Sequence, residues 1–444
     1  MDKLGFGCAF SFLAGKQQES LTGPSLLHLN YDCYLQIFSH LNVLEDQLNL
    51  GRAHPLLRDV LADVLRKRYE KINVRMLKSV SDWEFLLELC GSEVVRCEVP
   101  HGRWDEAITY PVLDVIRRYC PKLHQLVVIF MHADTETPPV GSDRDSIMQL
   151  FLELPSLTNL TLIDARVPQL EQLHNFGKLQ TLDVDGIDPN LSVPAFRQIF
   201  ENKLELKRLL VNFGRCYRLS HQISELAECL PLLEHLTLEN FDAKCSDIGD
   251  LRALQSLRLI SRWIVEINSD FYGSLAKCYS NRLLMLQLIS VRVRVDQVPR
   301  ILALSQLKAL DCDNWPAQSI GELRKLTHLE CLALDCVEEQ SVDASDQLLA
   351  VVTSCLRLKH MKFGKRWKLS GIDVNSFLAN VKEIISKREQ ELLITFACIK
   401  TQSSREKLQQ SVRDQNHLRV LFKEVSTCPH CEPDTHSRFD TIFD

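Results

Sequence analysis

The sequence predicts an α/β fold, a solenoid in which short parallel strands alternate with helices along a stacked array. Three observations carry this prediction. A hexamer of the form apolar-x-x-apolar-x-apolar recurs ten times between Leu123 and Phe363. Amphipathic stretches of helical length, such as residues 193–202, 219–230 and 346–355, lie between the hexamers. Residues 24–70 lack the hexamer and follow a helical period, which predicts a small all-α module before the array.

Each hexamer predicts one strand of a repeat. Residues two apart on an extended chain point the same way, so the last two apolar positions enter the core from the strand. Successive hexamers start about 26 residues apart on average, inside the 20–29-residue period of leucine-rich repeats. One copy cannot bury its apolar side alone, and stacking gives a continuous parallel sheet. The ten copies start at Leu123, Leu157, Leu179, Leu206, Leu233, Leu254, Leu283, Leu307, Leu329 and Leu358.

The ends of the array are less regular than its middle. Val94, Cys97 and Val99 make a further repeat unit at the N-terminal end of the array. Residues 393–398 and 418–421 are expected to be degenerate repeat units or a C-terminal cap. We therefore expect the solenoid to span residues 71–425, with a polar tail at 426–444. Parallel strands joined by helices require right-handed crossovers and place the strands on the concave side.

The N-terminal module is expected to contain three short helices after a flexible segment at residues 1–23. Asn30 is a good N-cap for a helix whose apolar residues recur at helical spacing from Cys33 to Leu41. A second helix is expected at residues 46–53 and a third after Pro55.

This module resembles an F-box, whose pattern runs approximately Leu-Pro-x-Glu, Leu-x-x-Ile-Phe-x-x-Leu, then Leu-x-x-Leu. Two positions depart from the F-box pattern. Asn30 stands where the pattern has its Pro, and the Trp that the pattern has in its last helix is missing here. With the repeats that follow, the chain resembles the F-box leucine-rich-repeat proteins. That resemblance implies a substrate receptor of an SCF-type cullin ubiquitin ligase, in which the F-box docks on the adaptor subunit and the repeats hold the protein to be ubiquitinated. Carried over by position, the adaptor contact would comprise Leu29, Leu35, Ile37, Phe38, Leu41 and Leu48.

Two other interpretations remain open for the same residues. Irregular capping units are usual at the ends of solenoids, so residues 24–70 would also serve as an N-terminal cap of a leucine-rich repeat scaffold without a ubiquitin link. A secreted leucine-rich repeat protein is the third interpretation, and a short apolar run at residues 4–13 would then be a signal sequence.

Composition favours a protein of the cytoplasm or nucleus. The 16 cysteines of the 444-residue chain are scattered singly, many at positions where an apolar side chain would stand, which predicts unpaired thiols. A net charge of −6 gives no basic surplus for nucleic acid or anionic membranes, and no run of eighteen apolar residues occurs. We expect protein partners, with neither nucleic acid nor membrane among them.

Acidic residues recur at strand positions that face away from the core. Asp183 and Asp185 form one pair, and Asp311, Asp313 and Asp335 should form one patch, because parallel strands lie about 4.8 Å apart. We hypothesise that these residues receive a basic segment of the partner. The alternative is that they are simply solvated surface.

No catalytic site, cofactor or metal is expected. Phosphate-binding loops, nucleophile elbows and zinc-protease helices are missing from the sequence. Cys428 and Cys431 have the spacing of a redox or metal motif, yet acidic Glu432 follows and a second such pair is missing, so we expect this tail to be unstructured.

Overall fold

A computed structural model of the chain describes residues 26–101, 106–130, 144–214, 216–338, 344–364, 374–386, 391–396 and 418–421. The expected flexible segment at 1–23 and the tail that carries Cys428 and Cys431 lie outside these residues.

One parallel sheet runs through the described residues. It has fourteen strands, and each strand pairs with the strand next to it in the sequence. The strands are β1 (Lys71–Asn73), β2 (Arg96–His101), β3 (Gln125–Phe130), β4 (Asn159–Ile163), β5 (Thr181–Asp185), β6 (Arg208–Asn212), β7 (His235–Glu239), β8 (Ser256–Glu266), β9 (Met285–Arg292), β10 (Ala309–Pro316), β11 (Cys331–Glu338), β12 (His360–Phe363), β13 (Leu392–Phe396) and β14 (Leu418–Leu421).

Helices connect the strands and precede them. The α-helices are α1 (Tyr31–His40), α2 (Leu44–Ala53), α3 (Pro55–Arg68), α4 (Val80–Cys90), α5 (Glu106–Tyr119), α6 (Arg144–Leu152), α7 (Val167–Glu171), α8 (Val193–Gln198), α9 (Ser269–Tyr279), α10 (Val298–Leu302), α11 (Ala344–Ser354) and α12 (Val374–Ile385). Segments of 3₁₀ helix occupy Leu26–His28, Gly91–Glu93, Gln172–Asn175, Tyr217–Leu226, Val295–Gln297 and Ala317–Lys325.

All ten predicted hexamers lie on strands, one each on β3 to β12, and the fold class is confirmed. In β4, for example, Leu160 and Leu162 are buried while the residues between and beside them are partly exposed. The unit predicted at Cys97 and Val99 forms β2. One hydrophobic core runs from Tyr34 in α1 to Val420 in β14. We call the other side of the sheet, which the alternate strand residues face, the open face.

The two C-terminal units have a different register from the predicted one. In β13 the core residues are Ile394 and Phe396, which pair with Met361 and Phe363 of β12. The predicted unit used Leu393, Phe396 and Cys398, the last of which lies outside the described residues. In β14, Leu418 and Val420 are buried and Leu421 is 39% exposed. Strand pairing, which a single sequence does not show, decides which of two adjacent apolar residues turns inward.

Some connections between strands are 3₁₀ helices where α-helices were expected. The predicted helix at residues 219–230 is a 3₁₀ segment, Tyr217–Leu226, and a 3₁₀ segment also follows β10. The short strand β1 was not predicted. Among the described residues there is no helix with the length and continuous hydrophobicity that crossing a bilayer requires.

Candidate functional site

The N-terminal helices have well-formed ends. The Asn30 side chain caps α1, because its Oδ1 accepts a hydrogen bond from the Cys33 N–H at 2.9 Å, as the sequence predicts. The connection from α1 to α2 is fixed by Gln47, which is 1% exposed and whose Nε2 donates to the carbonyl oxygens of Phe38 (3.3 Å) and Leu41 (2.5 Å). His54 Nδ1 accepts from the Leu56 N–H at the start of α3.

The six residues assigned to adaptor contact by resemblance fall into two groups. Phe38 and Leu48 are 1% and 0% exposed, so they hold the helices together and do not face solvent. Leu29 is 39% exposed. Leu35, Ile37 and Leu41 are partly buried and pack on the core with part of their surface in solvent. A partner approaching this structure would therefore touch Leu29 and the outer sides of these three residues.

Around these residues lies a concentration of exposed apolar side chains, which we call the N-terminal apolar surface. Six of the fourteen large exposed apolar residues in the described part of the chain lie between residues 26 and 56. They are Leu26, Leu27, Leu29, Tyr31, Val43 and Leu56, exposed by 39% to 51%. Sequence reasoning identified only Leu29, because the helical period marks residues that point inward and gives no signal for apolar residues left outside.

The N-terminal helices are joined firmly to the first repeat. Helices α2 and α3 pack against α4. Arg52 forms an ion pair with Asp82 at 2.6 Å and its guanidinium lies 4.7 Å from the centroid of the Phe85 ring. Farther along α3, Arg66 Nε donates to the Leu89 carbonyl at 3.1 Å. The interface is built from both charge and apolar packing, which holds the helical unit in one orientation on the solenoid.

The predicted acidic patch on the open face is only partly assembled. Asp311 on β10 accepts a hydrogen bond from Gln287 Nε2 at 2.7 Å. Burial raises the pKa of Asp311 to about 6, against the opposing effect of Lys362. Asp313 is only 9% exposed and accepts a hydrogen bond from the Ser290 N–H at 2.8 Å, so it stabilises an irregular turn and does not face a partner. Asp335 lies on β11, and its side chain is outside the description.

The other predicted pair, on β5, belongs to a polar network. Asn212 Nδ2 donates to Asp185 Oδ1 at 2.6 Å, and Asn240 Nδ2 donates to Asn212 Oδ1 at 2.8 Å. The Arg262 N–H then donates to Asn240 Oδ1 at 3.1 Å. Burial also raises the pKa of Asp185. We call this series from β5 to β8 the amide ladder. Asp183, two residues before Asp185, is partly exposed on the open face.

One further carboxylate on the open face lies outside the acidic pair and patch that the sequence predicted. Glu239 ends β7 and lies opposite Ile260 of β8 in the sheet register. Burial raises the pKa of Glu239, the charge of Asp185 raises it further, and Arg258 opposes the shift. The alternation of strand residues placed Glu239 on this face, but its crowding depends on the neighbouring strands.

The thiols are packing groups. The eleven cysteines whose side chains the structure describes all carry free thiols. Burial raises the pKa of Cys90 and of Cys120 to about 12, so neither is a nucleophile at neutral pH. Within the described residues no cluster of His, Cys, Asp and Glu has the arrangement of a metal site.

The parallel sheet, with its strands in sequence order, identifies the architecture. The chain folds as a leucine-rich repeat solenoid. Solved structures of this kind resemble it at low identity: the leucine-rich repeat-containing protein LegL7 from Legionella pneumophila has 12% identity and a TM-score of 0.36, covering 78% of this chain and 98% of its own. TLR13 in complex with ssRNA13 has 12% identity and a TM-score of 0.35, covering 79% of this chain and 64% of its own.

A third similar structure is Toll in the Drosophila Toll–Spätzle complex, at 11% identity and a TM-score of 0.29, covering 74% of this chain and 55% of its own. No protein-family model matches the sequence, and no curated protein matches it. The likeness concerns the fold and carries no information about ligands.

Proposed function

We propose that the chain is the substrate-recognition subunit of an SCF-type E3 ubiquitin ligase. The N-terminal helices dock on the adaptor subunit and, through it, on a cullin, and the solenoid binds the protein to be ubiquitinated. The chain itself catalyses nothing and needs no cofactor. Its contribution is to raise the effective concentration of the bound protein near the ligase.

The observation that carries this proposal is the N-terminal apolar surface. A helical unit whose only task is to cover the end of a solenoid gains nothing by leaving six large apolar side chains in solvent. Such a concentration of exposed apolar side chains within about thirty residues of sequence is typical of a protein–protein contact. Recognition of a helical face works through a few apolar anchors that lose water against the partner. The exposure of Leu29 and the partial exposure of Ile37 support that role for them.

The proposed surroundings are the cytoplasm, the nucleus or both. Free buried thiols such as Cys97 and Cys312 are compatible with a reducing compartment, where disulfides do not form. Partners are then another protein as substrate and the adaptor. The carboxylates of the open face favour a basic segment in that substrate.

The test is binding of the purified adaptor subunit to the purified full chain. Leu29→Asp and Ile37→Asp place charge on the proposed contact. Leu29 is exposed, so its substitution leaves the core intact, whereas Ile37 packs on the core with one side and leaves the other in solvent. Each is expected to weaken adaptor capture by at least about tenfold. Leu356→Asp, a change at a leucine 64% exposed on the solenoid, is the matched control and should leave capture intact. If the wild-type chain does not bind the adaptor, or if Leu356→Asp weakens binding as much, the proposal is wrong.

A second candidate is a leucine-rich repeat scaffold in which the helical unit is only a cap. The observation favouring it is the close interface between α3 and α4, through Arg66 and the carbonyl of Leu89, which continues the core into the helical unit. Under this alternative the adaptor is not bound, and deletion of residues 1–70 exposes α4 and destabilises the solenoid.

A further inference from the structure

Strand β8 contains a bulge that presents a tryptophan to solvent. Strand β8 pairs with β9 as far as Ile260 and resumes pairing only at Val265, while the partner strand advances by two residues from Ile289 to Val291. We call residues 261–264 the β8 bulge; Ser261 is buried, and the three residues after it are exposed. Trp263 in this bulge is 75% exposed and Ile264 is 51% exposed.

The β8 bulge is held in place by hydrogen bonds. The Arg262 N–H donates to Asn240 Oδ1 at the end of the amide ladder. Asn240 itself has a φ of 52°, in the left-handed region that Asn adopts more readily than most residues with a side chain. After the bulge, Glu266 forms an ion pair with Arg292 at 3.1 Å. The hydrogen bond from the Arg262 backbone and the ion pair of Glu266 hold the two ends of the bulge and indicate a fixed presentation of Trp263. Bulges commonly serve to redirect a side chain.

An exposed tryptophan next to an exposed isoleucine is well suited to the centre of an interface. Tryptophan gives the largest losses of affinity when it is removed from protein interfaces, because it buries much apolar area at little conformational cost. Trp263 has the greatest fractional exposure of the large apolar residues described. Its surroundings then decide what kind of partner it would bind.

The charge beside the bulge favours a cation. Glu239 lies on β7, directly opposite Ile260, where β8 leaves its regular course. Within the described residues its carboxylate has neither a hydrogen bond nor an ion pair, and Asp185 adds a second negative charge two strands away, while Arg258 on β8 offsets part of this charge. A nucleic acid would bring phosphates towards these carboxylates, so a protein segment with a basic side chain is the complementary ligand.

We propose that the β8 bulge and Glu239 together bind an extended protein segment that carries an apolar side chain for Trp263 and Ile264 and a lysine or arginine for Glu239. Glu239 is one strand from β8, and Trp263 is three residues beyond Ile260, so the two sites are ~11 Å apart. An extended chain covers that distance in about three residues. This inference specifies the substrate class within the proposed function, but it does not require adaptor binding.

The experiment selects a displayed library of random dodecapeptides on the immobilised full chain and measures the enriched peptides by fluorescence polarisation. Enriched peptides are expected to share a Lys or Arg about three residues from a large apolar residue. Trp263→Ala should weaken their binding by at least about tenfold. Glu239→Gln should weaken binding by about three- to tenfold, and only for peptides that retain the basic residue. Leu356→Ala, at another exposed apolar residue of the solenoid, is the control and should have no effect.

Three outcomes would overturn the inference: no peptide is enriched above background, the enriched peptides lack basic residues, or Trp263→Ala binds them as well as the wild type does. Binding of a single-stranded oligouridine that is lost in Trp263→Ala, without peptide binding, would show that the ligand is RNA instead. Adaptor capture measured on the same variants separates the two proposals. Trp263→Ala should retain capture of the adaptor, and Ile37→Asp should retain capture of the peptide.

Discussion

A buried lysine links two successive repeats and gives a measurable pH dependence. Lys203 lies after α8, is 0% exposed, and donates from Nζ to the Leu173 carbonyl of the preceding repeat at 2.7 Å. Burial lowers the pKa of Lys203 from 10.5 to about 8. Between these two pH values the unfolded chain holds a proton that the folded chain has lost. The free energy of unfolding therefore rises with pH across this window.

The size of the effect follows from the shift. A shift of 2.5 pKa units corresponds to about 3 kcal/mol, of which about 2 kcal/mol should appear between pH 7.5 and pH 10. The substitution Lys203→Met removes the titrating group and keeps most of the buried volume. We expect the wild type to gain about 2 kcal/mol relative to Lys203→Met over that range.

The assay is urea unfolding of both proteins at pH 7.5 and pH 10, followed by circular dichroism. Buried thiols and tyrosines also titrate at high pH, but they do so in both proteins and cancel in the difference. Lys207→Met, at an exposed lysine four residues away, controls for the loss of a positive charge. A difference between wild type and Lys203→Met that is the same at both pH values would refute the argument.

Two further predictions concern single sites in the repeats. Burial raises the pKa of Asp311 from 3.8 to about 6, so ionising this carboxyl costs stability in the folded state. As pH rises from 4 to 7, the wild type should lose about 2 kcal/mol of stability relative to Asp311→Asn, allowing for solvent screening. If the free energies of urea unfolding of the two proteins change equally with pH, the prediction is wrong. Gly249 has a φ of 74°, and a Cβ there would lie 2.5 Å from the Ser224 carbonyl oxygen. Gly249→Ala should therefore lower the free energy of unfolding by more than about 2 kcal/mol in the same assay. Gly177→Ala is the control and should change it little, because the nearest atom to a Cβ there is 3.5 Å away. Equal effects of the two substitutions would be inconsistent with the steric argument.

The sequence predicted the strands well because their signal is local and repeated. A spacing of two between apolar residues, as at Leu236 and Leu238, fixes which side of a strand enters the core whatever the neighbouring strands do. The cap at Asn30 was predicted for a similar reason, since an N-cap depends on residues within one turn.

What the sequence did not predict depends on neighbouring repeats. The burial of Asp313 results from its bond to the Ser290 N–H of the adjacent repeat, and the register of β13 results from pairing with β12. The β8 bulge is visible only as a mismatch between two strands, so alternation along one strand gives no indication that Trp263 is exposed. Likewise, the helical period does not distinguish an apolar residue that packs in the core, such as Phe38, from one that stays exposed for a partner.

The firm attachment of α3 to α4 has a consequence for how two ligands would be arranged. From β1 to β8 there are seven steps along the sheet, or ~34 Å at the usual strand spacing. If one protein occupies the N-terminal apolar surface and another the β8 bulge, their separation and mutual orientation are set by the number of stacked units between them. Removing one unit would shorten that span by a single step and rotate one ligand relative to the other. The chain would then act as a rigid spacer, and the number of its repeats would set the length of that spacer.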